Sequence, residues 1–190
     1  MRLSRGRWSL GRMMLLRLSP RVVVVLGPHW YTTIIMSCMI AGLGLGYAEY
    51  VTPLLRFSIF NRGVMYLLTA CTLGVFCYLA YFSDPGLLTS TSDRAPVPKG
   101  GFCRSECCPE ISAINYPSDG STFCHTCGVI QPLGCLHCEF CDVCVTVHDH
   151  HCVWTSKCIG GANYRLFIGF MCLAFGSLTY MALAFFLLMS

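Results

Sequence analysis

The segment from Cys124 to Phe167 limits what this chain can fold into more than any other. It carries Cys124, Cys127, Cys135, His137, Cys138, Cys141 and Cys144, then Asp149-His150-His151-Cys152, then Cys158. So many soft ligands in so short a span do not make a packed apolar core. Zinc takes four tetrahedral ligands from thiolate and imidazole, and C-x2-C steps with interspersed histidines are how such sites appear in sequence. Spacing alone leaves the pairing open, because Cys135, Cys138, Cys141 and Cys144 form an unbroken C-x2-C ladder. It also leaves two uses open, a zinc module that carries chemistry and one that is only a fold or docking surface.

The competing reading of fifteen cysteines is a disulfide framework. The odd count argues against it, as do Cys71 and Cys77, which lie in an uncharged apolar stretch and read as inert small hydrophobes. The cysteine-rich segment therefore belongs in a reducing compartment.

Only 12% of the residues are charged, 55% are hydrophobic, and mean hydropathy is +0.60. Soluble domains are nearer a quarter charged. The composition is that of a membrane protein with room for a few spans and one small module. Trp30 to Ala48 is uncharged over 19 residues, roughly 28 Å as a helix and enough to cross a bilayer core. Gly42, Gly44 and Gly46 within it read first as ordinary membrane-helix glycines and second as a surface for another helix. Residues 49–63 read as a polar connection, 64–82 as a second span, and 166–189 as a third. Ser83-Asp84-Pro85-Gly86 ends the second span with turn chemistry, and residues 83–123 read as a loop holding Cys103, Cys107 and Cys108, best read as free thiols.

Residues 1–29 read as a basic arm with Arg2, Arg5, Arg7, Arg12, Arg17 and Arg21 and, among residues 1–21, no acid. An anionic leaflet would hold such an arm; a transit peptide shares the composition. Basic residues favour the cytosolic side of a span. Six arginines precede the first span and two lie between the first and second, so the N-terminus and the segment 83–165 are expected to be cytosolic. Nothing in the sequence points to nucleic acid, since the arginine-rich arm lacks a recognisable reader fold.

The pattern Cys124-x2-Cys127, Pro132, His137-Cys138-x2-Cys141-x2-Cys144, Asp149-His150-His151-Cys152-x-Trp154-x3-Cys158-Ile159-Gly160-x2-Asn163-x3-Phe167 resembles the cysteine-rich domain of the DHHC protein S-acyltransferases (palmitoyltransferases). Asp84-Pro85-Gly86 fits the same family and is expected to be a structural hinge. The resemblance implies an α-helical multi-pass membrane protein with a small cytosolic cysteine-rich domain, residues 124–165, binding two structural zinc ions. It implies one site of Cys124, Cys127, His137 and Cys144 and a second of Cys138, Cys141, His151 and Cys158, with Cys135 in neither.

It also implies that Cys152 is the nucleophile, His150 its base and Asp149 the group that orients His150. Residues 150 and 152 of an extended segment point the same way, and a free thiol of pKa about 8.5 needs such a base. The implied reaction moves a fatty acyl group from acyl-coenzyme A, palmitoyl-coenzyme A by expectation, through a Cys152 thioester to cytosolic cysteines of membrane-associated proteins. The setting would be an endomembrane (Golgi or ER) or the plasma membrane, with the bilayer as a partner.

Departures from the family pattern are Gln131, Gly134, Leu136, Val153 and Lys157. Lys157 is a candidate contact for the coenzyme phosphates. A fourth span and a Thr-Thr-x-Glu motif, usual in the family, do not follow the third span. The alternative readings are therefore a catalytically inactive zinc-containing membrane adaptor or a truncated fragment of the enzyme.

Overall fold

The computed structural model describes residues 7–19, 22–55, 57–88 and 120–189. Arg2, Arg5, Arg21 and Arg56, and the loop cysteines Cys103, Cys107 and Cys108, lie outside the described residues.

Among the described residues, three apolar helices dominate. Helix α1 (Trp30–Gly46) continues through a π-helical turn (Tyr47–Val51) and a 3-10 turn (Thr52–Leu54). Helix α2 (Ser58–Cys77) ends in a second π-helical turn (Tyr78–Phe82), and α3 spans Tyr164–Met189. By length and composition each can cross a membrane, over Trp30–Leu54, Ser58–Phe82 and Tyr164–Leu187. Their outward faces carry exposed Ile34, Ile35, Leu43, Leu67, Phe175 and Leu183, the pattern of helices solvated by lipid rather than water. The first two helical segments are longer than the uncharged stretches 30–48 and 64–82. Glu49 stays helical because its carboxylate accepts from the Tyr66 hydroxyl on α2, and Asn61 sits in the first turn of α2, where its backbone N–H bonds Phe57 O at 3.0 Å.

Helix α2 packs on both α1 and α3. At one end Tyr47, Ala48 and Met65 are buried with Tyr180, Met181 and Ala184, and the Tyr47 hydroxyl donates to Met181 O at 3.0 Å. Of the glycines in α1, Gly44 is the contact: a Cβ there would lie 2.0 Å from Thr69 Oγ1 of α2, whereas Gly42 and Gly46 face open space. At the other end Phe76, Leu79 and Ala80 of the second span pack with Phe170 of α3 and with Cys152 and Ile159. The cysteine-rich module thus sits on the bundle where α1 and α3 begin and the second span ends.

That module is three antiparallel hairpins. Strands β4 (Thr122–Cys124) and β5 (Val129–Gln131), β6 (Leu136–Cys138) and β7 (Val143–Val145), and β8 (His150–Cys152) and β9 (Lys157–Ile159) pair two by two. Their geometry repeats every 14 residues. Cys124 pairs with Val129, Cys138 with Val143 and Cys152 with Lys157. Each turn closes through a left-handed residue, Gly128 (φ 64°), Asp142 (φ 57°) and Ser156 (φ 58°). Glycine and aspartate adopt that conformation readily, serine less so.

The N-terminal residues differ from the expected arm. Strands β1 (Arg7–Leu10), β2 (Met13–Ser19) and β3 (Val22–Leu26) form an antiparallel meander in the order β1-β2-β3. Its buried Met13 and Val25 pack on Cys138, Cys141, Val143, Val145 and Cys158. Arg12 N donates to Cys141 O at 2.9 Å. Gly11 (φ 56°) makes this approach possible, for a Cβ there would lie 2.4 Å from Asp142 O. The cause is the β-branched run Val22-Val23-Val24-Val25 beside Met13-Met14-Leu15-Leu16, which has strand propensity and an apolar surface to cover.

Candidate functional site

Two groups of four soft donors come together. Cys124, Cys127, His137 and Cys144 have donor atoms all within 4.8 Å of one another, and so do Cys138, Cys141, His151 and Cys158. The middle hairpin feeds both. In each group the histidine turns Nδ1 inward: His137 Nδ1 lies 3.2 Å from Cys127 Sγ and 3.9 Å from Cys144 Sγ. His151 Nδ1 lies 3.6, 3.3 and 3.8 Å from the sulfurs of Cys138, Cys141 and Cys158. Tetrahedral zinc with ordinary Zn–S and Zn–N bonds requires N···S edges of about 3.6 Å and S···S edges of about 3.8 Å. The Cys158–Cys141 sulfur separation is 3.6 Å. The donor sets fit a tetrahedral metal in number, type and spacing.

The backbone supports the sulfurs. Cys127 N and Cys141 N each donate to the sulfur three residues earlier, Cys124 and Cys138, at 3.4 Å. Buried Gln131 donates from Nε2 to Cys144 Sγ at 3.4 Å, so its amide serves the first cluster. Hydrogen bonds from Cys141 and then Cys158 pull the Cys138 thiol well below its usual range. The reciprocal bond to Cys138 pushes Cys141 up to about 12, and Cys158 is raised by the same partners. Three buried thiolates cannot coexist uncompensated; a dication among them removes the conflict. Cys135 is buried against Cys124 and Cys144 but belongs to neither group of four.

Strand β8 presents the remaining polar groups. His150 Nδ1 lies 2.7 Å from Asp149 Oδ2, with the two side chains 41% and 48% exposed. Since Nδ1 is engaged, Nε2 is the nitrogen available for proton transfer. The His150 ring packs edge-on against Phe167 at 5.3 Å. Cys152 is 7% exposed and lies among Phe76, Leu79, Ala80, Ile159 and Phe170. His150 and Cys152 therefore both face α3, as alternation along a strand requires. The thiol sits at the seam between module and helices, while Val153 and Trp154 beyond it are about half exposed.

Asp84-Pro85-Gly86 clamps the module to the second span. Asp84 Oδ1 accepts from Gly86 N (2.8 Å) and Leu87 N (3.1 Å). Gly86 O accepts from Thr146 N at 2.9 Å, and Leu88 N donates to Cys144 O at 3.0 Å. Asn163 bridges the other side, accepting from Gly160 N (2.9 Å) and donating to Cys158 O (3.2 Å) and Ser83 Oγ (3.4 Å).

Lys157 corrects an expectation. It is fully buried, and its Nζ donates to Ser83 O at 2.6 Å. Burial lowers its pKa to about 7, against the opposing pull of Asp84. The Lys157 amine in that position braces β9 on the end of the second span and has no surface to offer a phosphate.

The family model described as DHHC palmitoyltransferase matches residues 117–190. This stretch is a DHHC domain. Among curated proteins, the chain is 34% identical over 94 residues to palmitoyltransferase ERF2 of Candida glabrata, covering 44% of this chain and 29% of that protein. It is 31% identical over 153 residues to palmitoyltransferase ERF2 of Kluyveromyces lactis, covering 66% and 40%. It is 30% identical over 159 residues to palmitoyltransferase ZDHHC14 of Mus musculus, covering 75% and 31%. The chain spans 29–40% of the length of these relatives. The DHHC domain supplies both four-donor groups and the Asp149-His150-His151-Cys152 segment. The N-terminal sheet and His29 lie outside residues 117–190, the stretch the family model matches.

Proposed function

We propose that the chain is a protein S-acyltransferase acting at the cytosolic face of a membrane, with Cys152 as nucleophile, His150 as base and Asp149 as its orienting acid. The observation that carries this reading is the polarised strand β8. An Asp149–His150 pair at 2.7 Å leaves Nε2 free, on the same side of the strand as a thiol packed against the helix ends.

His150 Nε2 takes the Cys152 proton, and Asp149 stabilises the imidazolium that forms. The Cys152 thiolate attacks the thioester carbonyl of a fatty acyl-coenzyme A, palmitoyl-coenzyme A being the expected donor. Coenzyme A leaves as its thiol and takes back the proton. His150 Nε2 next takes the proton of a cysteine thiol on a membrane-associated protein, that thiolate attacks the Cys152 thioester, and Cys152 leaves as a thiolate and takes the proton back from His150, giving the acylated product and the free enzyme thiol. Each step exchanges one thioester for another, which suits a ping-pong order. The apolar surroundings of Cys152 suit an acyl tail entering from the bilayer, and the half-exposed His150 and Asp149 mark the watery side.

The two groups of four would hold two zinc ions. Bound there they are structural, worth roughly 10–16 kcal/mol of folding free energy each, and Cys152 stays outside both sets. His151 and Cys158 of the second group flank Cys152, so by holding a metal they would fix the strand on which His150 and Cys152 stand.

The test is self-acylation. The detergent-solubilised chain is incubated with clickable palmitoyl-coenzyme A, and label is compared among wild type, Cys152→Ser and His150→Ala. The expected label is sensitive to hydroxylamine, absent in Cys152→Ser and reduced by two to four orders of magnitude in initial rate in His150→Ala, the usual range for general-base loss. A folded, two-zinc wild type that takes no label refutes the reading.

A further inference from the structure

The two metal groups differ in what meets the outer nitrogen of their histidine. A histidine that binds metal through Nδ1 carries its proton on Nε2, and that N–H needs an acceptor to fix the ring. In the first group that nitrogen faces a carboxylate five residues on, with His137 Nε2 3.6 Å from Asp142 Oδ1 in an ion-pair contact. The 14-residue repeat places Ser156 at the equivalent position for His151. Ser156 is too short to do the same work. Its Oγ instead accepts the backbone N–H of His29 at 2.7 Å, and the His29 ring delivers Nδ1 to His151 Nε2 at 3.3 Å.

The rings meet edge to face, with centroids 5.4 Å apart and planes at 69°. Phe140 completes the arrangement, stacking on His151 at 4.9 Å and meeting His29 at 5.9 Å. His29 is itself held by the start of α1: Thr32 Oγ1 donates to His29 O at 2.7 Å and also reaches Val153 O, one residue past Cys152. The neighbouring Gly27 allows the approach, since a Cβ there would collide with Ser156 O.

We propose that His29 is a positioning residue for the second metal group, accepting the His151 Nε2–H at its Nδ1 and so tying the head of the first span to the metal that holds the His150–Cys152 strand. The direction of the bond follows from the chemistry: with Nδ1 of His151 on the metal only its Nε2 can donate, so His29 accepts at Nδ1 and bears its own proton on Nε2. This assignment rests on the zinc reading above and is independent of acyl transfer.

The test is metal release from the full chain in detergent, with no acyl donor present. The protein is loaded with zinc, its stoichiometry is measured, and release to excess 4-(2-pyridylazo)resorcinol is followed by absorbance. His29→Ala removes acceptor and ring. His29→Phe keeps a ring against Phe140 and His151 without the acceptor. His29→Asn keeps an acceptor oxygen near the place of Nδ1. One of the two zinc equivalents is expected to leave roughly 10–100-fold faster in the Ala and Phe variants, the range usual for losing such a partner. The other should be unchanged and the Asn variant should recover much of the wild-type rate. The proposal is overturned if Phe behaves as wild type, if both equivalents accelerate together, or if Asn is no better than Ala. A wild type holding fewer than two zinc overturns it along with the zinc reading. Failed self-acylation leaves it standing.

Discussion

Replacing Asn163 by alanine is expected to loosen the module from the bundle. Asn163 is 2% exposed and makes three side-chain hydrogen bonds, to Gly160 N, Cys158 O and Ser83 Oγ. The three partners do not suffer equally. Ser83 Oγ keeps its own bond to Leu79 O at 2.6 Å, and a carbonyl such as Cys158 O tolerates losing one donor. Gly160 N–H is a buried donor with a single acceptor to lose. Orphaning it costs about 1–3 kcal/mol and the weaker losses about 1 kcal/mol more. A total of about 2–4 kcal/mol converts, at roughly 2–4 °C per kcal/mol for a chain of this size, to a melting point lower by roughly 4–16 °C. Intrinsic tryptophan fluorescence in detergent reads this directly, because Trp154 lies in the β8–β9 turn and is half exposed. The zinc held by Cys158 should leave before the other as the sample is heated. A variant that melts within about 1 °C of wild type, where the estimate requires at least about 4 °C, would refute this account of how the module is fastened.

Gly160→Ala should be harsher, since its Cβ would lie 2.4 Å from Pro85 O and 2.7 Å from Val145 Cγ1; loss of the folded, two-zinc species on size-exclusion chromatography is the expected result, and a normal yield counts against the clamp. Gly44→Leu should separate α1 from α2, because even a Cβ meets Thr69 Oγ1 at 2.0 Å, costing about 1–3 kcal/mol of overpacking in a thermal melt, while Gly42→Leu, in open space, should be near neutral. Lys157 makes stability depend on pH. Its folded pKa of about 7 lies below the ordinary 10.5, so between those values the unfolded chain binds more protons and stability rises with pH, by at most about 1.4 kcal/mol per unit. Below 7 the burial cost is fully present. Stability measured in detergent from pH 7 to 10 should show that slope in wild type and not in Lys157→Met.

The metal groups were legible because C-x2-C steps have one economical use in a reducing compartment, and the structure gathers the same eight residues that the family resemblance pairs. The hydrophobic stretches were legible for the reason that lipid imposes: no charge over a bilayer's width. Their ends were not, because the side chains of Glu49 and Asn61 accept from partners distant in sequence, the Tyr66 and Tyr180 hydroxyls. The N-terminal sheet was hidden by composition, its arginines suggesting a membrane arm that took in the Val22–Leu26 run as well. Lys157 looked like a surface cation because nothing local announces that Ser83 O will lie 2.6 Å from it. The 14-residue period was visible in Cys124, Cys138 and Cys152, and in Phe123, His137 and His151 before them. Reading the cysteines as a ladder of threes obscured it.

That period explains how Cys152 stays single. In the first two hairpins the cysteine ending the strand has a second cysteine three residues on, Cys127 or Cys141, and each pair enters a metal group. In the third hairpin that residue is Thr155, buried, its hydroxyl turned to Cys152 O and Lys157 O at 3.3 Å. A second thiol there would give the hairpin a chelating pair beside two zinc-type clusters and leave Cys152 competing for metal. A threonine fills the corner, shares its one hydroxyl proton between two carbonyls and offers no soft donor. The sulfur of Cys152 thus takes its placement from a metal-holding hairpin while being spared the metal, and that difference rests on residue 155.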